Sequence, residues 1–230
     1  MLPGFRLIDL SVPLEHRAVS EPLPAKIRYV SHEEGREQMR QFLGIRPEDL
    51  VCSGGLGWAI EEVEAITHTG TYVDAPFHRF ANGSDLAGLP LNRLADLPGV
   101  LVDATQAGRA VDAEIFRGRV LGGRAVLVRT DWDRHWRTPQ YAENHPYLAR
   151  AAAEMLVREG AALVGIDSLN IDDATDLARS VHTLLLEAGI PIVEHLTGLG
   201  ALPPEGFRFH AVPAPVAGMG SFPVRAYAVL

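Results

Sequence analysis

The stretch His68-Thr-Gly-Thr-Tyr-Val-Asp74-Ala-Pro-Phe-His78 places two imidazoles, one carboxylate and one phenol within eleven residues. Imidazole and carboxylate suit zinc, manganese and iron. On a strand, Tyr72 and Asp74 share a face about 7 Å apart. A straight strand would hold His68 about 13 Å from Tyr72, too far to share an ion. Convergence therefore needs a bend. Gly70 permits one, and Pro76 ends strand pairing. One histidine alone would read as a surface residue. His, Asp and His interleaved with Gly and Pro read as a metal-binding, catalytic segment.

Strands and helices alternate on both sides of this segment. Residues 6–11 (Arg-Leu-Ile-Asp-Leu-Ser) read as a short strand; residues 58–67 fit strand or helix by periodicity and are read as strand because they feed the motif. Residues 32–43 read as a polar helix. The runs 99–103, 124–129, 162–167 and 191–194 are short, apolar and rich in β-branched residues, the pattern of buried strands. Residues 146–159 read as a helix with Pro146 near its start and Gly160 as its stop. Residues 180–188 read as a helix capped by Ser180 and closed by Gly189. This alternation predicts an α/β fold with parallel pairing, and the strand-rich first half predicts a mixed sheet. No repeat, low-complexity tract or linker divides the 230 residues, so a single domain over 1–230 is expected.

With 47% hydrophobic residues the chain can bury a core without staples. A net charge of −8 and no Lys/Arg cluster exclude nucleic acid and anionic membrane as main partners. Cys52 is the only cysteine, so no intrachain disulfide forms, which fits a reducing compartment. With no adjacent base it reads as a small buried or half-exposed residue. The N-terminus lacks the basic start and apolar run of a signal peptide. No apolar stretch approaches the ~20 residues of a membrane helix. A cytoplasmic protein acting on a small molecule is expected.

The motif resembles the signature of the bacterial cyclase family, whose members include kynurenine formamidase and isatin hydrolase: His-x-Gly-Thr-His-x-Asp-x-Pro-x-His. It departs only at Tyr72. The resemblance extends to Ile8-Asp-Leu-Ser11, Arg129-Thr-Asp-Trp132, Gly165-Ile-Asp-Ser168, the segment from His182 to Glu194, and Pro223-Val-Arg225. It implies a swivelling β/β/α domain with a mixed, barrel-like sheet and flanking helices, assembled as a homodimer or higher homo-oligomer. It implies a divalent metal, zinc or manganese. In dinuclear members one ion is held at the positions of His68, Tyr72 and Asp74. The other is held at those of Asp74, His78, His182 and Glu194. In mononuclear members the first set holds the ion and the residue at His78 is an acid/base.

Tyr72 weakens the first set, because a phenol must lose a proton near pKa 10 to become a good ligand. The expected arrangement is one ion at Asp74, His78, His182 and Glu194, with His68 beside it as ligand or base. Tyr72 is alternatively a phenolate ligand or a hydrogen-bond donor to substrate. A bound ion polarises a carbonyl, and His78 or His68 moves the proton. This points to a metal-dependent hydrolase of an amide, formamide or lactam C–N bond. The alternatives are a metal-assisted cyclase or lyase, and a ligand-binding protein without activity. Phe77, Phe80, Trp58 and Trp132 are candidate walls of an aromatic pocket, though each taken singly reads more readily as core packing. No Gly-x-Ser-x-Gly elbow, Walker loop or dinucleotide fingerprint is present. Asp172, Asp173 and Asp176 lack the spacing of a calcium loop. His195 adjoins a proposed ligand and is the hardest of the other histidines to set aside.

Overall fold

The computed structural model describes residues 5–230; Met1–Gly4, read above for a leader, lie outside them. In chain order the strands are β1 (Leu7–Asp9), β2 (Lys26–Arg28), β3 (Glu62–Glu64), β4 (Tyr72–Asp74), β5 (Leu97–Asp103), β6 (Ala110–Val111), β7 (Ala125–Arg129), β8 (Tyr147–Leu148), β9 (Leu163–Ile166), β10 (Ile192–Glu194), β11 (Glu205–His210), β12 (Ser221–Pro223) and β13 (Tyr227–Val229). The helices are α1 (His32–Leu43), α2 (Arg150–Glu159) and α3 (Ser180–Glu187). Nine strands form one sheet in the order β1-β13-β11-β5-β7-β9-β10-β4-β12. β5, β7, β9 and β10 run parallel, and the outer pairings are antiparallel. The sheet is therefore mixed, as predicted, and it curls into a half-barrel.

The parallel strands are apolar at nearly every position because both faces are covered. Leu127, Leu163, Val193 and Val73 face one core with Phe207 and Phe209. Val126, Val164, Ile166 and Ile192 face the other, where Leu156 of α2 and Val181 and Leu185 of α3 pack. Each such side chain contributes about 1.5–3 kcal/mol by leaving water. Gly99 is required by close packing: a Cβ there would lie 1.9 Å from the Phe207 ring.

Helix α1 spans the predicted residues, with the Ser31 side chain accepting from the Glu34 N–H and Gly44 closing at φ 69°. The helix expected over 146–159 begins only at Arg150, because Tyr147 and Leu148 pair in parallel with Ala110 and Val111. Ser180 is not the cap of α3; Arg179 holds that position with left-handed backbone. Of 58–67 only β3 is strand, paired with β2 in an exposed two-stranded ribbon. Strands β11, β12 and β13 were not anticipated. Cys52 is exposed, not buried or half-buried.

Candidate metal and catalytic site

Strand β4 is buried at all three positions. The two-residue period sends Val73 into the core and turns Tyr72 and Asp74 to the other face. On β10, Glu194 lies opposite Tyr72; on β12, Ser221 lies opposite Asp74. Directly opposed residues of antiparallel strands touch. Accordingly the Tyr72 hydroxyl donates to Glu194 Oε2 and the Ser221 hydroxyl to Asp74 Oδ1, both at short range.

Gly70 supplies the bend, with φ +63° and its N–H donating to Glu21 Oε1. The bend brings the His68 ring to 4.9 Å from the Tyr72 ring. His68 Nε2 then lies 3.4 Å from Asp74 Oδ1 and 3.2 Å from His78 Nδ1. Past Asp74 the chain leaves the strand in a 3₁₀ turn, Pro76–His78, so His78 no longer follows the strand alternation. Gly220, just before β12, lets the chain pass under it: a Cβ at 220 would sit 2.5 Å from the His78 backbone nitrogen.

His182 comes from the first turn of α3. Its Nδ1 is 2.6 Å from Asp172 Oδ2, and its Nε2 is 3.5 Å from Asp74 Oδ2 and 3.6 Å from Glu194 Oε1. Asp172 also accepts the backbone N–H groups of Val181 and His182, two otherwise unpaired donors of the helix start. Glu194 Oε1 accepts the Ile171 N–H. A carboxylate on one ring nitrogen fixes the tautomer and presents the other nitrogen as a ligand.

Two groups of ligand atoms result, each within 4.8 Å of one another: His68, Asp74 and His78, and Asp74, His182 and Glu194. Asp74 belongs to both. Its Oδ2 is buried with no hydrogen-bond partner, a costly state for a carboxylate oxygen unless a cation faces it. Two carboxylates and an imidazole suit zinc or manganese, so the residues present fit a divalent ion. Burial opposes a charge on His182, but Glu194, Asp172 and Asp74 outweigh it and push its pKa up to about 10. Burial likewise opposes ionisation of Asp74, yet His182 and His68 hold it well below the usual carboxylate range. Burial pushes Glu194 up against the pull of His182.

Burial, with the Glu194 and Asp74 charges, pushes Tyr72 well above its usual value. Its hydroxyl is committed to Glu194 rather than free for substrate. Burial works to lower His68, but Asp74 raises it; burial lowers His78. The sequence grouped His78 with Asp74, His182 and Glu194. Here it pairs with His68, and its ring centre is 5.8 Å from that of His182. Burial pushes His195 down to about 4; its Nε2 lies 2.9 Å from the Leu169 carbonyl oxygen. Asp172 and Ser221 were not picked out as site residues from the sequence. For Asp172 a signal existed, a carboxylate a few residues before a helix bearing a ligand histidine.

A cavity of about 230 Å³ opens beside His68 and Tyr72. None of the four candidate aromatics lines it. Trp58 Nε1 donates to Gln38 on α1, Trp132 Nε1 donates to the Tyr141 carbonyl, Phe80 packs on the second core, and Phe77 is exposed. A further acidic group, Asp131, Asp133 and Asp167, braces loops: Arg129 holds Asp131, Thr197 holds Asp133, and Thr130 holds Asp167.

The Cyclase family model matches residues 8–173, and the chain belongs to that family. The match ends before His182 and Glu194, whose place in the site comes from the fold. Among curated relatives, the kynurenine formamidase of Maricaulis maris (strain MCS10) is 29% identical over 205 residues, covering 79% of this chain and 92% of that protein. The kynurenine formamidase of Bacillus thuringiensis subsp. konkukian (strain 97-27) is 26% identical over 188 residues, covering 78% and 88%. Among solved structures, isatin hydrolase A from Ralstonia solanacearum superposes with a TM-score of 0.80 at 24% identity, covering 98% of this chain and 92% of that one. A structure described as a potential metal-dependent hydrolase with cyclase activity gives 0.76 at 22% identity, with 98% of both chains covered. The fold is shared with these structures.

Proposed function

We propose that this protein is a metal-dependent hydrolase that opens the C–N bond of a small aromatic amide, formamide or lactam. The observation that carries the reading is the unpartnered Asp74 Oδ2, buried where His182 Nε2 and Glu194 Oε1 converge. The names of its relatives, kynurenine formamidase and isatin hydrolase, support the bond class. Asp74, His182 and Glu194 would hold the ion, zinc or manganese, and His68 and His78 would flank it. When bound, the ion supplies Lewis acidity toward the amide carbonyl.

The other roles belong to side chains. Asp172 fixes the His182 ring, and Ser221 and Tyr72 orient the Asp74 and Glu194 carboxylates. The His68–His78 pair lies along one hydrogen-bond line. It accepts the proton of the attacking water and returns it to the departing nitrogen. His68, which lines the cavity, exchanges with the substrate, and His78, the more exposed ring, passes the proton on. The reading includes one domain, a homodimer or higher homo-oligomer, and a cytoplasmic setting; no helix among the described residues is long and apolar enough to cross a membrane.

The test is turnover of N-formylkynurenine and isatin with added zinc or manganese, beside elemental analysis of dialysed protein. Bound metal, activity abolished by a chelator, and loss of both in Asp74→Asn are expected. Protein that binds no metal, or turnover that survives the chelator, overturns the reading.

A further inference from the structure

The cavity beside His68 and Tyr72 has a mostly apolar wall, from Pro22, Leu23, Ile66 and Leu169, and one permanent cation, Arg179. Arg179 has φ 49° and ψ 52°, a left-handed backbone that residues with a Cβ seldom adopt. Strained backbone of this kind collects at ligand-binding positions. The side chain is about a third exposed. Its Nη2 donates to Asn170 Oδ1 at 3.0 Å. No other guanidinium N–H of Arg179 has a hydrogen-bond partner among the described residues. Its Nε is 3.8 Å from Asp172 Oδ2, beyond a hydrogen bond. Asp172 is already taken by His182 and by two backbone N–H groups. The guanidinium is thus anchored at one edge, with donors left over. Its planar fork matches a carboxylate in two parallel hydrogen bonds.

We propose that Arg179 is a specificity-determining residue that takes a carboxylate carried on the apolar body of the substrate. The substrate class is then an anionic aromatic amide rather than a neutral one. Glu21 lines the same cavity, and its Oε1 is tied to the Gly70 N–H. Like-charge repulsion from Glu21 confines the substrate carboxylate to the Arg179 side, leaving the apolar body against Pro22, Leu23 and Ile66. This inference rests on the hydrolase reading above.

Two probes that differ only in a carboxylate separate the outcomes: formanilide and 2-formamidobenzoate. The metal-loaded enzyme is expected to favour 2-formamidobenzoate in kcat/KM by roughly 10–100-fold, the reach of a charge-assisted pair. The preference should reside in KM. In Arg179→Met the ratio of the two kcat/KM values should collapse to near one, and Arg179→Lys should keep part of it. Arg179→Gln serves as a second neutral variant if Arg179→Met does not fold. A wild-type ratio near one overturns the proposal. So does an equal fall for both probes, which would mean Arg179 acts through Asn170 and Asp172. If neither probe is turned over, the hydrolase reading is still judged by its own substrates, N-formylkynurenine and isatin. Equilibrium binding of 2-aminobenzoate, followed by its fluorescence, then tests Arg179 alone: binding weakened in the neutral variants supports the proposal, and unchanged binding overturns it.

Discussion

Replacing Asp172 by Asn changes one atom and sets a donor against a donor. Asp172 Oδ2 faces both His182 Nδ1 and the His182 backbone N–H, while Oδ1 accepts from the Val181 N–H. An amide has one acceptor oxygen. With that oxygen on Val181, the amide nitrogen faces the ring and favours the tautomer with the proton on Nε2, the atom aimed at Asp74 and Glu194. With the amide reversed, the Val181 N–H meets a donor instead. Loss of an orienting carboxylate behind a metal-ligating histidine costs about 10–100-fold in metal affinity. That range is about 1.4–2.7 kcal/mol. The start of α3 loses part of its cap as well, about 0.5–2 kcal/mol of stability. Zinc affinity, read by competition with a chromophoric chelator on the dialysed protein, should fall by that factor. A thermal melt run beside it separates the stability loss. Zinc affinity unchanged in Asp172→Asn would refute the claim that this carboxylate sets the His182 ring.

Gly220→Ala forces a Cβ to within 2.5 Å of the His78 backbone nitrogen, so the His78 backbone must shift and carry its ring with it; an error of about 1 Å in a catalytic group costs roughly 10²-fold in rate. We expect kcat to fall by that order with zinc retained, and unchanged kcat would remove His78 from the chemistry. Gly99→Ala drives a methyl into Phe207, an overpacking worth about 1–3 kcal/mol; the melting temperature should drop by several degrees, and a stable variant would show that the β5–β11 contact is looser than described. Burial pushes Asp167 up to about 7, outweighing its hydrogen bonds from Thr130 and Asp131. A raised carboxyl favours the protonated folded state, so its stability contribution is fully present below the unfolded pKa near 3.8 and is lost as pH rises through about 7. Urea unfolding should therefore lose about 2–3 kcal/mol between pH 5 and pH 8 from this group; Asp167→Asn should flatten that slope, and an identical slope in the variant would contradict the assignment.

The parallel strands were legible because burial on both faces leaves an unbroken apolar run, as in 124–129 and 162–167. The bend at Gly70 was legible from chemistry alone, since His68 and Tyr72 could not otherwise meet. Strands β11 and β12 were not, because their polar residues, glycine and proline carry no such run, and β13, though apolar, is only three residues long. Asp172 resembled a failed calcium loop; only the fold reveals that it is aimed at His182. His78 was displaced from its expected group by the local turn at Pro76, a tertiary detail that motif spacing does not encode. The aromatics misled for a simpler reason. Trp58 and Trp132 are spent on Gln38 and the Tyr141 carbonyl, Phe80 packs on the second core and Phe77 is exposed, and the cavity wall was instead assembled from residues 21–23, 66 and 169–179, separated along the chain.

Strand β4 places Val73 in the core and Tyr72 and Asp74 in the site, on opposite sides of the same three residues. A slip of one residue against β10 or β12 would drive a carboxylate into hydrocarbon and a valine among the ligands. The site thus acts as a proofreader of assembly: a misregistered chain could neither pack nor bring Asp74, His182 and Glu194 together. The same coupling constrains its history. Insertions and deletions beside this strand cannot be absorbed by sliding, whereas Leu23, Ile66 and Leu169 of the cavity wall lie off the strand and can change without moving Asp74, His182 or Glu194.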